Sequence, residues 1–562
     1  MTNEIFILRD SLFEGSPSGD SFIDTYFLNG RIADQVRMMT PALSAEFTKQ
    51  LEKVSSFVNL VDSINIEISG ENANEVVDFE LMVSDAEGYR VMWSAEMPIN
   101  SGVAKIAVMP NIGEVSNDTA IASLQFKFPK YMLVSVSISF ILRESLPIEP
   151  MPPDKPVDFS SSNYQAMIRQ SLLHSGNLAR LQRAINKAKN GEEVTLAYIG
   201  GSITQGAGAK PINTMCYAKQ SCEGFIDLFA KDKSKVNYIK AGIGGTPSQL
   251  GVARYHRDIL APGNPLPDIV VIEFAVNDYD DETKGVCYES LCLMAYEGAG
   301  NPAVVLMFSV FANDENLEER LTKVGFHYGF PMVSAKQAVL PQYDSENPVL
   351  SRRHYFHDIL HPSNTGHKIM ADGIINLWKV ADEAPLIEEG KLPETVIIGD
   401  RYRNIKAFYR SNVAEHPAVK KLDVGGFTEF DKVLQSVERN DDIFTTPQFE
   451  DNWHIVAVPN NRNRLSALTS GYDYPDCFTM IIECKDLLLL YKDTDASNFV
   501  PVEIFIDGIL VRTLDPCAVG WTHCGSTFIL NSDELKSRLV EIKPKISETK
   551  YCFTILGFGY TE

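Results

Sequence analysis

The chain has 562 residues, which at about 150 residues per domain gives three or four domains and more than one core. Hydrophobic residues make up 44% and charged residues 22%, the balance of a globular protein rather than a disordered one. The formal charge is −23, from 51 Lys+Arg against 74 Asp+Glu. No basic stripe offsets it, so nucleic acid and anionic lipid are excluded as partners. No stretch reaches the roughly eighteen apolar residues of a membrane helix. The best candidate, Tyr131 to Leu142, alternates Val-Ser-Val-Ser-Ile-Ser and reads as a half-buried strand. The opening residues carry no basic, then apolar, leader. Nine cysteines with no C-x-x-C pair fit a reduced, cytoplasmic chain better than a disulfide framework.

Two breaks organise the sequence: the cluster Pro147, Pro150, Pro152, Pro153 and Pro156, and the Glu- and Pro-bearing run from Asp382 to Pro393. They bound a β-rich N-terminal domain (1–146), a middle domain (158–385) and a C-terminal domain (393–562). In the first, strand periodicity recurs at Ile64–Ile68, Val76–Val83, Tyr89–Trp93, Ala104–Met109, Ala122–Phe128 and Met132–Leu142, predicting a β-sandwich with a helix over Ala42–Val54. The middle domain changes rhythm. A helix over Tyr164–Lys189, stopped at Gly191, is followed by strand Val194–Ile199, helix Tyr217–Ala230, strand Val236–Lys240 and helix Ser248–Leu260. Strand Asp268–Phe274, a helix to about Gly298 and strand Ala303–Phe311 complete the series. Strands alternating with helices predict parallel βαβ units in a three-layer α/β domain. Beyond Pro393, strands are predicted at Trp453–Val458, Cys477–Cys484, Leu487–Tyr491, Val502–Ile506, Thr527–Leu530, Leu539–Ile542 and Tyr551–Gly559, again sandwich-like.

Chemistry concentrates where the middle strands end. Gly200-Gly201-Ser202-Ile203-Thr204 follows the first of them, placing a serine where open α/β sheets bind ligands. Alone it reads equally as a strand-to-loop turn, and it is not a G-x-S-x-G elbow, because Thr204 replaces the last glycine. The next strand runs into Lys240-Ala-Gly-Ile-Gly-Gly-Thr246, where the Gly245 amide can face the same crevice. The third ends in Ala275-Val276-Asn277-Asp278, either an Asn-Asp turn or a carboxamide aimed at a developing oxyanion. Last comes Phe356-His357-Asp358-Ile359-Leu360-His361-Pro362. An Asp three residues before a His can hold the imidazole Nδ1–H and leave Nε2 to take a serine proton. Zinc is disfavoured at His354, His357, His361 and His367, because no cysteines and no ligand-like spacing accompany them. His354 and His367 read as surface or capping residues.

Ser, Gly, Asn and Asp-x-x-His in this order, three of them closing successive strands, resemble the four blocks of the SGNH (GDSL-type) hydrolases over roughly Asp158 to Pro385. The resemblance implies Ser202 as nucleophile, His361 as base, Asp358 as its partner, and an oxyanion hole from Ser202, Gly245 and Asn277, with no cofactor and no metal. Block one lacks the usual Asp before the serine, and block three has Ala275 where many members have Gly. The wording Tyr-Ile-Gly-Gly-Ser-Ile-Thr-Gln-Gly-Ala-Gly-Ala is most similar to bacterial carbohydrate acetylesterases, implying an acetylated oligo- or polysaccharide as substrate.

Sugar rings stack on aromatic faces, so Trp453, Trp521, Tyr472 and Tyr474 are candidate glycan contacts, with core packing as the alternative. Arg254, His256 and Arg257 either line or support the cleft, or form a solvated helix face. Gln205 and Glu273 lie beside the blocks and receive no role. Two further functions stand beside glycan deacetylation: an esterase or acyltransferase on lipid-like or surface-glycan acyl groups, and a carbohydrate-binding protein with an idle hydrolase domain. The flanks could bind glycan, cap the site or build a homo-oligomer interface.

Overall fold

A computed structural model describes residues 1–18, 21–28, 30–85, 88–110, 116, 118–150, 152, 154–432, 449–457, 477–494, 496–518, 522–547 and 549–562. Its centre is a six-stranded sheet built from β1 (Leu172–His174), β2 (Val194–Gly200), β3 (Val236–Gly242), β4 (Ile269–Glu273), β5 (Ala303–Phe308) and β6 (Met332–Ser334). They lie in the order β1-β6-β5-β4-β2-β3. All neighbours are parallel except β1, which runs antiparallel to β6.

Alternate strand residues feed two cores, as the two-residue period requires. Leu196, Tyr198, Ile269, Val271, Val305 and Met307 bury against helices Ala179–Asn190, Tyr217–Phe229 and Asn364–Glu383. Ala197, Ile199, Val270, Ile272, Val304 and Leu306 face helices Ser248–Asp258, Val286–Glu297 and Glu318–Tyr328. Helices on both faces of a mostly parallel sheet make the three-layer α/β/α domain expected from the alternating pattern. The chain winds from β2 outward to β3, then returns to the other side at β4. The carboxyl end of β2 is therefore the point where strand order reverses, the place at which open α/β sheets bind ligands.

Two antiparallel sandwiches flank this domain. The N-terminal one pairs a four-stranded sheet (Thr2–Glu14, Leu133–Leu146, Val61–Gly70, Ala104–Ala107) with a five-stranded sheet (Ser16–Ser18, Ser21–Phe27, Ala120–Phe128, Val76–Asp85, Gly88–Pro98) around a shared core. The C-terminal one joins the sheet of Lys406–Phe408, Cys552–Tyr560, Leu487–Asp493 and His523–Leu530, with Trp453–Val456 on Cys552–Tyr560, to a second sheet. That second sheet is Val419–Asp423, Phe478–Cys484, Lys536–Pro544, Val502–Ile506 and Ile509–Leu514. The described residues of the proline cluster form neither helix nor strand.

Local expectations fail in identifiable places. The helix predicted over Tyr164–Lys189 is two helices, Ser162–Gln170 and Ala179–Asn190, separated by β1; Gly191 does close the second, at φ 76°. The helix predicted over Ala42–Val54 is likewise two short ones, Ala45–Lys49 and Val54–Leu60. Strand Thr2–Glu14, unread in the sequence, carries three register shifts against its partner, which scramble the alternation that would reveal it.

Candidate active site

Register brings the blocks to one level. Gly200 at the end of β2 is opposite Gly242 of β3 and Glu273 of β4. Ser202, Gly245 and Asn277 follow these residues by two, three and four positions, so all three leave the same edge of the sheet. Ser202 opens a single helical turn, Ser202–Gln205. Gly201 is required by a close approach: a Cβ there would lie 2.1 Å from Asn277 Oδ1, so the missing side chain brings the Asn277 carboxamide against the serine loop.

The other half of the site is one loop. His361 Nε2 is 3.0 Å from Ser202 Oγ, and its Nδ1 is 2.9 Å from Asp358 Oδ2. Asp358 Oδ1 accepts the amides of Leu360 (2.7 Å) and His361 (2.8 Å). The loop closes on itself through the His357 amide to the His361 carbonyl (2.9 Å) and a bridge between Phe356 and Pro362. Burial acts to raise the Asp358 carboxyl, but the adjacent His361 imidazole and the donated amides outweigh it and hold it at about 2. Asp358 is therefore ionised at neutral pH, which keeps the His361 proton on Nδ1 and leaves Nε2 as an acceptor facing the serine.

Asp278, one residue beyond Asn277, is fully buried and ties block three to block two. Its Oδ1 accepts the Ser248 amide (2.7 Å) and its Oδ2 the Ser248 hydroxyl (2.8 Å). Burial, with Asp281 nearby, pushes its carboxyl well above the usual range. Sequence reasoning took this residue only as part of a turn. It also passed over Tyr279, which is 45% exposed and stacked on Phe311 (centroids 6.5 Å, interplanar 16°). The Phe311 loop joins the two halves of the site, with Leu317 donating to the Ala275 carbonyl and Ala312 to that of Ile359. An exposed aromatic two positions past the asparagine was the available signal.

Several expectations are corrected. Arg254 does not sit on a solvated face or line the cleft; of the three alternatives it supports the strand ends. It is completely buried, and donates to the carbonyls of Gly200 (2.8 Å) and Ala241 (2.8 Å) while pairing with Asp258 (2.7 Å). The Gly200 carbonyl also accepts the Ile243 amide (3.1 Å), and the buried guanidinium adds a second donor there while tying it to the end of the neighbouring strand. Arg257 lies over the Phe449 ring, and only His256 is exposed. Trp453 is 2% exposed and packs against Phe478, Phe408 and Phe558; it is a core residue. Trp521, Tyr472 and Tyr474 lie outside the described residues. His354 caps its own helix, and His367 is a capping residue too, though for a distant helix. It is buried and accepts the first amide of helix Tyr217–Phe229 on Nδ1. Glu273, buried beneath the strand ends and bonded to Ser309, is pushed up to about 7 by burial.

Among the described residues no cluster of His, Cys, Asp and Glu is arranged to hold a metal, and no helix is long and apolar enough to cross a membrane. The fold, with Ser202, His361 and Asp358 brought together beyond its strand ends, resembles the SGNH hydrolases. No family model matches the chain and no curated protein matches it. Among solved structures it is similar to a two-domain esterase active on acetylated mannans, at 26% identity and a TM-score of 0.58 over 70% of this chain and 99% of that one. The same kind of esterase co-crystallised with mannopentaose matches at 26% identity and a TM-score of 0.57, over 70% of this chain and 98% of that one.

Proposed function

We propose that this protein is a serine esterase that removes O-acetyl groups from oligo- or polysaccharides. The observation that carries the reading is the unbroken path from Ser202 Oγ through both His361 nitrogens to the Asp358 carboxylate. Ser202 Oγ attacks the acetyl carbonyl while His361 Nε2 takes its proton, and the ionised Asp358 stabilises the imidazolium. Charge building on the carbonyl oxygen is met by the amides of Ser202 and Gly245 and by the Asn277 carboxamide. His361 then returns the proton to the departing sugar hydroxyl, and water activated by the same nitrogen releases acetate.

The carbohydrate part of the reading rests on the similarity to the esterase active on acetylated mannans and on Tyr279, whose exposed ring beside Asn277 offers a platform for a pyranose face. The enzyme part is tested with p-nitrophenyl acetate and a fluorophosphonate. The expected result is hydrolysis together with covalent labelling at Ser202, both absent from a folded Ser202→Ala variant. Labelling at another serine, or hydrolysis undiminished in that variant, overturns it.

A further inference from the structure

The N-terminal sandwich reaches the site through a small set of buried, directional contacts. Tyr26 and Asp24 stand two positions apart on strand Ser21–Phe27, so both side chains leave the same face. Glu14 and Phe13 end strand Thr2–Glu14. Tyr26 is 1% exposed, and a buried hydroxyl is costly unless bonded. It donates to the His357 carbonyl at 2.9 Å. The His357 ring is lodged against Tyr26 (5.2 Å) and Phe13 (5.5 Å). That carbonyl shares a rigid peptide plane with the Asp358 nitrogen, so any rotation of it swings Asp358 about its own backbone.

Asp24 and Glu14 act on the opposite side of His361. Lys210 Nζ pairs with Asp24 Oδ2 at 2.5 Å, each side chain only 12% exposed. The Ile212 amide donates to Glu14 Oε2 at 3.0 Å, and the Tyr131 hydroxyl holds the other Glu14 oxygen at 2.9 Å. The loop so fixed runs against the histidine, since a Cβ on Gly208 would fall 2.1 Å from the Pro362 carbonyl oxygen and 3.1 Å from His361 Cβ. Asn364 ties it further, exchanging two 2.7 Å bonds with the Lys210 backbone.

We propose that the N-terminal sandwich is a positioning element for the proton relay, with Tyr26 setting the peptide that carries Asp358 and Asp24 setting the loop that backs His361. This rests on the esterase reading of Ser202, His361 and Asp358. Neither residue touches substrate; both act through the loops that do.

The test compares the full-length wild type with Tyr26→Phe, and with Asp24→Asn as a second variant should the first fold poorly. Losing one hydrogen bond of this kind should lower kcat on p-nitrophenyl acetate about three- to tenfold with KM unchanged. The acidic limb of the kcat/KM profile should move to lower pH, because a displaced Asp358 stabilises the imidazolium less. The low-field Nδ1–H proton resonance of His361 should broaden or move upfield. A melting temperature that falls while kcat, pH profile and resonance all stay put overturns the proposal and leaves the sandwich a purely structural part. The resonance needs no turnover, so a wild type silent on every ester would defeat the esterase reading while the spectrum still decides this one.

Discussion

The two sandwiches hold the two halves of one site by different forces. On the C-terminal side, Tyr402, Ile405, Tyr409, Leu488, Leu490, Phe528 and Leu556 belong to the same buried cluster as helices Ser248–Asp258 and Val286–Glu297. Polar contacts sit on top of that packing: Glu282 accepts from Thr527 (2.8 Å), the Phe528 amide (3.0 Å) and Arg512 (2.9 Å), and Gln249 donates to the Ser526 carbonyl (3.1 Å). On the N-terminal side the sandwich keeps its own core; among the described residues it adds Met38, Met39 and the half-buried Phe6 to the central one. Beyond that come the Tyr26 hydroxyl, the Asp24 and Glu14 carboxylates, the Met39 carbonyl accepting from Arg353 (3.4 Å), and the His357 ring against Phe13 and Tyr26. The proposed oxyanion groups lie on the turns just past β2, β3 and β4, next to helices that bulk packing places well. A proton relay depends on hydrogen-bond direction, which only directional contacts can set.

The largest effect expected from breaking this division lies in the chemistry. Asp358→Asn should lower kcat by about 10⁴ through the wrong imidazole tautomer, while Asn277→Ala should cost about 10² to 10³. Steady-state rates on an aryl acetate check the order; equal losses would mean the halves are not separable as described. Next comes stability. Leu490→Ala should remove about 2–5 kcal/mol, and urea unfolding followed by two probes should show the central and C-terminal domains losing structure together. Separate transitions would contradict a shared core.

Acid should act first on the relay side. Burial holds His357 at about 4 and His367 at about 3, below the ordinary imidazole value near 6.5. Both are neutral in the fold and readily protonated once unfolded. Stability should therefore fall as pH drops from about 6.5 towards 4, by something on the order of 3 kcal/mol between pH 6.5 and 5. Asp358 adds a second loss in the same direction: its depressed value contributes stability above about 4 that is lost as pH falls towards 2. Melting curves across this range, repeated with His357→Gln, should show a shallower decline in the variant. The smallest effect is at the rim. Tyr279→Ala should raise KM for a glycan substrate roughly threefold to tenfold and leave the aryl acetate unchanged; an equal change on both would remove Tyr279 from sugar contact.

Much of the site was legible because it lies just past apolar strands, read as Val194–Ile199, Val236–Lys240 and Asp268–Phe274, each followed by a Gly- or Asn-bearing turn. The order of Ser202, Gly245, Asn277 and Asp358–His361 then needed no long-range information. What could not be read were roles created by tertiary neighbours. Arg254 looks like any charged helix residue until the carbonyls of Gly200 and Ala241 are placed beside it. Asp278 reads as a turn residue until Ser248 arrives from another block, and His367 caps a helix that begins 150 positions away. Trp453 failed for a simpler reason: aromatic identity says nothing about which face of a strand it occupies. Helix Tyr164–Lys189 failed because β1 is three residues long, too short to show a period of its own.

The central claim is most directly tested by acetate release from acetylated mannan, xylan and chitin oligosaccharides, with wild type and Ser202→Ala measured side by side. The account predicts release from at least one of these glycans and none from the folded variant. Silence on all three with aryl esters still cleaved would contradict the carbohydrate assignment. Release that survives loss of the Ser202 hydroxyl would contradict the mechanism itself.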